Sequence, residues 1–391
     1  MSQFQSLGLT IEYYQPAIDL PASYDPEGQY LGTLANEVTG YGHTTGAFGG
    51  YLAASISLGL PRTRIDEWLA YGLNRSIVVY NPNLQRIWEG FVNQVTVSLG
   101  PLTVTRGPLL DIGNRVSVNY TQIANTTDAR PSTTGQAVTP IQDDAASQQL
   151  YGIIERVENG GQLTDADALQ MQAAFLLENA WPTIPIAFSS AGAEPAVTLD
   201  CLGHLAKMNT AVFNDATDGF VSVDTKLATI LDADPNLLFS SANADLYVNP
   251  FIVPAADEQD RMALAVIQEL VALGGAGAAR TLFGAYNNRR ITYALAPTTI
   301  EYNYALADPG MRVTTPAGLL VRPWDVLPGR FCLYTDFLIG ATIPGVLRSD
   351  PRCQFIEQVG FTAPYDLTLD GSRVSTIPQM MAQYGLAGAA A

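Results

Sequence analysis

The stretch RIWEGFVNQVTVSLGPLTVTRGPLLDIGNRVSVNY, residues 86–120, carries the clearest strand signal in the chain. Apolar and polar residues alternate along it, which places Val95, Val97 and Leu99 on one face of a strand. The strand SIVVY precedes it across the turn tripeptide NPN at 81–83. These segments, closed by RVSVNYTQI, predict an antiparallel meander of about four strands before residue 123.

Composition and charge narrow the functional classes. The chain has 391 residues, 47% of them hydrophobic, so a folded protein of two or three domains is expected. It carries 37 acidic against 20 basic residues, a net charge of −17. Because phosphates need Lys and Arg to neutralise them, specific binding of nucleic acid is not expected.

Cofactors and membrane anchors are not indicated. The three Cys and two His include no CxxC pair, so no zinc site and no other cofactor are predicted. The N-terminal MSQFQSLGLT lacks a basic segment followed by an apolar one, so no signal peptide is expected. Since no apolar run reaches about 18 residues, no membrane anchor is expected either.

Two helices are predicted from capping residues and periodicity. The first, PRTRIDEWLAYGLNR, has Thr63 and Asp66 in capping-box positions and Gly72 at its end. The second, LTDADALQMQAAFLLENAWP, spans 164–180 and is capped by Thr164. Its core-facing stripe is predicted to contain Leu169, Ala173, Leu176 and Leu177.

The second half of the chain mixes helix and strand signals. Residues 121–148 are rich in Thr, Ala, Pro and Gly and predict a long loop or linker. In DEQDRMALAVIQELVALGG, acidic residues crowd the predicted helix start and Gly274 closes it. TLFGAYNNRRITYAL predicts a hairpin with Asn287 and Asn288 in the turn, because Asn tolerates positive φ. IPQMMAQYGL predicts a last helix.

Catalytic chemistry is weakly indicated. No GxSxG, SxxK or HExxH motif is present. Cys201 and His204 could bring a thiol near a base on a helix, but a core cysteine and a partly exposed histidine are the simpler interpretation. Acidic pairs such as 165/167 stand in first helical turns, where the helix dipole accounts for them. DADPN, residues 232–236, lacks the other ligands of a calcium loop and predicts a turn.

Ordered segments across residues 40–387 carry a family resemblance. WLAYGLNRSIVVYNPNLQRIWEGFVNQVTVSLGPLTVTRGPLLDIGNRVSVNY and LYGIIERVENGGQLTDADALQMQAAFLLENAWP come first. VTLDCLGHLAKMN, TLFGAYNNRRITYAL, LVRPWDVLPGRFCLYTDFLIG and DPRCQFIEQVGFTAPYDLTLDGSRVSTIPQMMAQYGL follow. Their order and spacing resemble the tail hub or baseplate hub proteins of tailed bacteriophages.

The resemblance implies an α+β, mainly β fold with two tube-type antiparallel β-barrel domains, an inserted small α/β domain and helical elements. The implied division is 1–123 for a first tube-like β domain, 124–149 for a linker, 150–214 for the start of a second β domain with the helix 164–180, 215–300 for the inserted α/β domain, and 301–391 for the closing strands and the C-terminal helix.

The resemblance also implies a function. Such proteins are structural: a homo-oligomeric ring, a trimer by preference and otherwise a hexamer, joins the tail tube to the central spike or baseplate. The implied partners are the tail tube, the spike, the tape measure and other baseplate proteins, and DNA passes through the lumen without specific binding. The chain would be made in the host cytoplasm and reside in the virion. No catalytic residue is carried over, so no enzyme activity is expected.

Three regions are predicted to contact neighbouring subunits. They are the sheet around Trp88 and Phe91, the loop from His43 to Tyr51, and the hairpin tip at Arg289-Arg290. For this tip, a solvated turn and a salt contact to an acidic neighbour both remain open. The alternatives for function are a distal tail or baseplate ring, a host-receptor (glycan) binding module, and a hydrolase built on Cys201 and His204 or on paired carboxylates.

Overall fold

The computed structural model describes residues 7–16, 28–34, 36–123, 133–215, 219–255, 259–276, 279–297, 299–306, 311–334, 353–364 and 366–373. The helices are α1 (Arg62–Tyr71), α2 (Ala145–Tyr151), α3 (Asp165–Asn179), α4 (Val223–Asp232) and α5 (Ala263–Ala272). The strands are β1 (Thr10–Tyr14), β2 (Tyr30–Thr33), β3 (Val38–Gly46), β4 (Phe48–Leu58), β5 (Ser76–Tyr80), β6 (Arg86–Arg106), β7 (Arg115–Ile123), β8 (Thr133–Val138), β9 (Gln142–Asp143), β10 (Glu155–Leu163), β11 (Ile186–Leu202), β12 (Val212–Phe213), β13 (Phe220–Ser222), β14 (Ala244–Leu246), β15 (Ile252–Pro254), β16 (Arg261–Met262), β17 (Thr281–Tyr286), β18 (Arg290–Leu295), β19 (Ile300–Leu306), β20 (Met311–Thr314), β21 (Leu320–Val321), β22 (Phe331–Tyr334), β23 (Cys353–Thr362) and β24 (Asp366–Arg373).

Most of these strands join one large sheet. Its hydrogen-bonded order is β2-β1-β5-β6-β11-β4-β3-β23-β22-β19-β20-β21, with β24 beside β23 and the β17–β18 hairpin beside β4. The expected mainly β character is confirmed. Within the described ranges, however, β2 and β21 end this order without pairing with each other, and no sheet closes into a barrel. The two-barrel arrangement is therefore not confirmed.

The opening stretch folds back on itself inside β6. Thr96 Oγ1 lies 3.4 Å from Thr105 Oγ1, although nine residues separate them along the chain. Asn93 lies close to the end of the same strand, because its Oδ1 accepts a hydrogen bond of 3.1 Å from the backbone N–H of Leu110. The reversal falls at Gly100, which has a φ of 62° that a side chain would disfavour. The two predicted strand segments on either side of Gly100 are thus both present.

The fourth strand of the predicted meander goes elsewhere. β7 leaves the large sheet and pairs in parallel with β10 and antiparallel with β8. The prediction of a continuous meander through residue 123 is therefore wrong at this strand. The alternation of buried and half-buried residues in β7 is the same for either partner, so it does not specify which sheet the strand joins.

The two largest hydrophobic cores of the described residues lie in different parts of the fold. The larger lies against β1 and β3–β6, and its largest fully buried side chains include Trp68, Trp88 and Phe91. The second lies between α4, α5 and the β17–β18 hairpin. The two regions are joined by backbone, because β17 pairs in parallel with β4. At this junction a Cβ on Gly50 would lie 2.4 Å from the carbonyl oxygen of Ala285, so only glycine allows the approach.

The helix boundaries partly match the sequence predictions. Thr164 caps α3 as predicted, since its hydroxyl accepts a hydrogen bond from the backbone N–H of Asp167. The capping box predicted for α1 is wrong: the helix begins directly after Pro61, with no side-chain cap. The acidic residues before α5 were predicted to lie at the start of the helix. The helix begins only at Ala263, because Arg261 and Met262 pair with β12 instead. The predicted last helix lies outside the described residues.

The predicted linker contains regular structure where it is described. β8 and β9 both pair with β7, and α2 follows with the side chain of Asp144 as its N-cap. Pairing to β7 supplies hydrogen bonds that composition did not reveal. The predicted hairpin is confirmed, with Asn288 at φ 62° in its turn. The domain boundaries stay a prediction.

Candidate assembly surface

Helix α3 has two apolar faces, and the predicted stripe belongs mostly to the outer one. The inner face carries Ala168, Gln172 and Leu176. Gln172 fixes this orientation, because its buried Nε2 donates to the carbonyl oxygens of Val116 and Pro140 at 2.6 and 2.7 Å. The prediction that Leu169, Ala173 and Leu177 face the core is therefore wrong; all three are exposed, Leu177 to 85%. Leu176 is buried as predicted.

The chain after α3 also exposes apolar side chains. The large side chains Trp181, Ile184, Ile186 and Phe188 are all exposed, Phe188 to 81%. The backbone is nevertheless fixed on one side by the second half of β6. The N–H of Thr105 donates to the carbonyl of Pro185 at 3.0 Å, and Ile186 and Phe188 stand opposite Val104 and Leu102.

The opposite edge of this segment is open in the described part of the chain. No strand there pairs with residues 184–188 except β6. The sequence also carries no charged residue from Asn179 to Ala193. We call the exposed side chains of this region the apolar edge, defined as Leu169, Ala173, Leu177, Trp181, Ile184, Ile186 and Phe188. Long, uncharged, apolar edges are the surfaces at which sheets associate with other chains.

Four of the six predicted contact residues are inside the molecule. Trp88 and Phe91 are fully buried in β6. His43 is in a strand rather than a loop; its Nδ1 is 2.8 Å from the Tyr41 hydroxyl, and burial lowers its pKa to about 3. Tyr51 is also in a strand, and its hydroxyl donates to Asn287 Oδ1 at 2.8 Å. In this conformation these four side chains present almost no surface to a neighbouring copy.

The two arginines of the hairpin tip have different environments. Arg289 is buried, so a solvated turn is wrong for that residue. Its backbone N–H and that of Asn288 donate to the buried carboxylate of Glu89 at 2.8 and 3.0 Å. Arg290 is exposed and pairs with Asp245 of the same chain at 2.6 Å. Of the predicted contact residues, Arg290 alone presents an exposed side chain.

Cys201 and His204 do not form a nucleophile and base. The Cys201 thiol is buried and directs its proton toward the carbonyl of Leu199 at 3.9 Å. Burial raises its pKa, so the thiol stays protonated. His204 is buried rather than partly exposed; its ring lies 6.1 Å from that of Phe91, and burial lowers its pKa. The core-cysteine interpretation is confirmed.

The acidic segment 232–236 forms a turn in which carboxylates accept hydrogen bonds from the chain that follows. Asp234 accepts hydrogen bonds from the backbone N–H groups of Asn236, Leu238 and Phe239 at 2.8–3.2 Å. Asp232 accepts from Ser241 instead, so the two carboxylates do not converge on one point. In the described ranges no three His, Cys, Asp or Glu side chains form a group that could hold a metal ion. No helix within these ranges has the length and apolarity to cross a membrane.

Sequence reasoning missed the apolar edge, although a signal for it was present. Pro185 stands inside the apolar stretch TIPIAFS, residues 183–189, and proline within a strand favours an edge position. Proline has no backbone N–H to donate. It therefore loses no hydrogen bond only on the side of a strand where no further strand lies. The uncharged run around it gave the same indication.

Solved structures similar to this chain include tail proteins. A 43 kDa tail protein of prophage MuSo2 from Shewanella oneidensis aligns at 8% identity and a TM-score of 0.39, covering 96% of this chain and 98% of that one. A tail protein from Neisseria meningitidis MC58 aligns at 7% identity and 0.41, covering 95% and 99%. The E. coli c3393 protein, a type VI secretion system component with structural similarity to T4 bacteriophage tail proteins, aligns at 8% and 0.38, covering 88% and 74%.

These similarities are distant. At TM-scores below 0.5 they establish neither a shared function nor the role of any residue. No protein-family model matches the sequence, and no curated protein matches it.

Proposed function

We propose that this chain is a structural protein of a bacteriophage tail, a hub or closely related baseplate ring built from several copies of the chain. The observation that carries the proposal is the apolar edge. The ordered sequence resemblance to tail and baseplate hub proteins supplies the class.

The apolar edge suits a contact between copies of this chain for an electrostatic reason. Each copy carries a net charge of −17, so two copies repel each other over most of their surfaces. The segment 179–193 exposes four large apolar side chains and carries no charge of its own, so it adds nothing to this repulsion where it meets another copy. Fully burying one such side chain contributes about 1.5–3 kcal/mol.

The apolar edge also bears on the symmetry of the assembly. If the apolar edge of one copy packs on a different surface of the next, the contact is head-to-tail, and a closed rotation produces a ring. We propose a trimer, with a hexamer as the second choice, around a lumen that passes tape measure and DNA. The proposed neighbours are the tail tube and the spike or baseplate.

The mass of the purified protein tests the proposal. Light scattering of the intact chain should give a trimer or hexamer, and negative-stain images of the same peak should show a central hole. Phe188→Asp should raise the concentration needed for assembly at least tenfold, which corresponds to about 1.4 kcal/mol. Phe220→Asp is the matched control, because Phe220 is equally exposed, at 75%, but lies outside the apolar edge.

Two results would contradict the proposal. A monomer at high concentration without ring-shaped particles would remove the assembly itself. A ring that forms equally well with Phe188→Asp would remove the apolar edge as its contact.

A further inference from the structure

A cavity of about 580 Å³ opens between α1, α2, the start of β2 and the end of β6. It lies within the size range of small-ligand sites. Its apolar lining includes Leu31, Leu73 and Leu150. Two arginines, Arg75 and Arg106, line the same space. In a chain with nearly twice as many acidic as basic residues, two guanidinium groups facing one cavity need an explanation.

Arg75 is held rigidly and is only 8% exposed. Its guanidinium stacks near the rings of Trp68 and Tyr13, at 4.9 and 5.5 Å. Its Nη2 donates to Glu67 at 3.1 Å. Its Nη1 is buried and has no hydrogen-bond partner in the described residues. A buried donor without an acceptor costs about 1–3 kcal/mol, more when it is charged.

The charge of Glu67 is shared rather than dedicated to Arg75. Its other carboxylate oxygen pairs with Nε of Arg64 at 3.2 Å. Arg106 has no carboxylate within ion-pair distance in the described residues, and its Nη1 donates to the carbonyls of Leu69 and Ala70 at the end of α1. Arg64 also lies 3.8 Å from Glu37, so two carboxylates balance Arg64 and Arg75, and the charge left uncompensated at the cavity is that of Arg106.

Tyr151 adds a further donor. Nη2 of Arg106 donates to the Tyr151 hydroxyl oxygen at 2.7 Å, which directs the hydroxyl proton away from the arginine. That proton has no acceptor among the described residues. Capping of α1 accounts for the position of Arg106, but it leaves the proton of the Tyr151 hydroxyl without an acceptor in the described residues.

We infer that this cavity is a binding site for a carboxylate with an apolar body. A carboxylate supplies several lone pairs, so it can accept from the Tyr151 hydroxyl while its charge balances Arg106. The leucine side chains and the exposed ring of Tyr71 at the rim would cover the apolar part. The source is either a free small carboxylate or the terminal carboxylate of a neighbouring polypeptide.

Calorimetry with paired ligands tests the inference on the intact chain. Phenylacetate should bind at least tenfold more tightly than phenylacetamide, which has the same shape without the charge. Arg106→Gln should abolish this preference, and Tyr151→Phe should weaken it, because phenylalanine lacks the hydroxyl that donates to the carboxylate. Arg62→Gln is the control, since Arg62 is exposed on α1 and does not line the cavity.

A second pair separates the two sources. An acetylated pentapeptide ending in Phe with a free carboxylate is compared with its C-terminal amide. Tighter binding of the free-acid peptide than of phenylacetate assigns the site to a neighbouring chain, and the reverse assigns it to a small metabolite. Equal affinity for acid and amide in both pairs, no binding of either, or an unchanged preference in Arg106→Gln would overturn the inference.

Discussion

Lys207 gives the stability of this protein a pH dependence that one substitution should remove. The side chain is buried, and its Nζ donates to Asn74 Oδ1 at 2.7 Å. Burial, and then the nearby charge of Arg289, lower its pKa from 10.5 to about 7. In the unfolded chain the pKa returns to the ordinary value, so between these limits the unfolded state binds more protons than the folded state.

The sign and size follow from this difference. A group whose charged form is disfavoured by folding makes the free energy of unfolding rise with pH. Its favourable contribution is fully present above the unfolded pKa of 10.5 and is lost as the pH falls to about 7. The difference between a pKa of 10.5 and one of about 7 corresponds to about 5 kcal/mol over the whole range and at most about 1.4 kcal/mol per pH unit.

Urea unfolding from about pH 7.5 to about pH 8.5 measures the slope below the titration of ordinary tyrosines and lysines. Across this interval the free energy of unfolding of the wild type should rise by roughly 1 kcal/mol relative to that of Lys207→Met, because titration of the cysteines contributes equally to both proteins. Met208→Ala is the control: Met208 is buried beside Lys207, so its loss lowers stability at every pH and keeps the slope. An unchanged slope in Lys207→Met would refute the assignment to this lysine.

Substitutions at three further positions test how the fold is held together. Glu89→Ala should lower the free energy of unfolding in urea by about 3–5 kcal/mol, because the buried carboxylate accepts hydrogen bonds from two backbone N–H groups of the β17–β18 turn and from Arg86. A decrease below about 1 kcal/mol would contradict that role. Gly203→Ala should lower the free energy of unfolding by about 3 kcal/mol or more, since a Cβ there would lie 1.7 Å from the carbonyl oxygen of Tyr51. A soluble variant of unchanged stability would show that the backbone can move to accommodate the methyl group. Thr164→Ala should cost about 1 kcal/mol and Thr164→Ser almost nothing, and equal losses in thermal unfolding would exclude the hydroxyl cap.

Local features were predictable because short-range chemistry decides them. The hairpin at Asn287-Asn288 follows from the tolerance of Asn for positive φ, and Asn288 has a φ of 62°. The cap at Thr164 needs only a hydroxyl three residues before a backbone N–H. The strands on either side of Gly100 follow from side-chain alternation, which a strand shows whatever its partner.

The same local signals left the candidate site unpredicted. The predicted contacts were chosen as aromatic and basic side chains, and such residues serve a core as well as a surface. Trp88 and Phe91 are buried because β6 lies in the middle of the large sheet, between β5 and β11. Arg289 and Arg290 are adjacent in sequence, yet one is buried and the other exposed, because Glu89 binds the turn from 200 residues away.

The sequence by itself determined the strands on either side of Gly100, the cap of α3 and the turn at Asn287-Asn288, together with an uncharged apolar run from Asn179 to Ala193. Each of these depends on residues close together along the chain, and periodicity and capping report on them directly. The tertiary structure alone decided which apolar face of α3 is buried, through the hydrogen bonds of Gln172 to Val116 and Pro140. It also decided that β7 leaves the large sheet and that Arg75 and Arg106 meet at one cavity. A helix or strand carries its own period, but its partner selects the face that is buried, and that partner lies far away in the sequence.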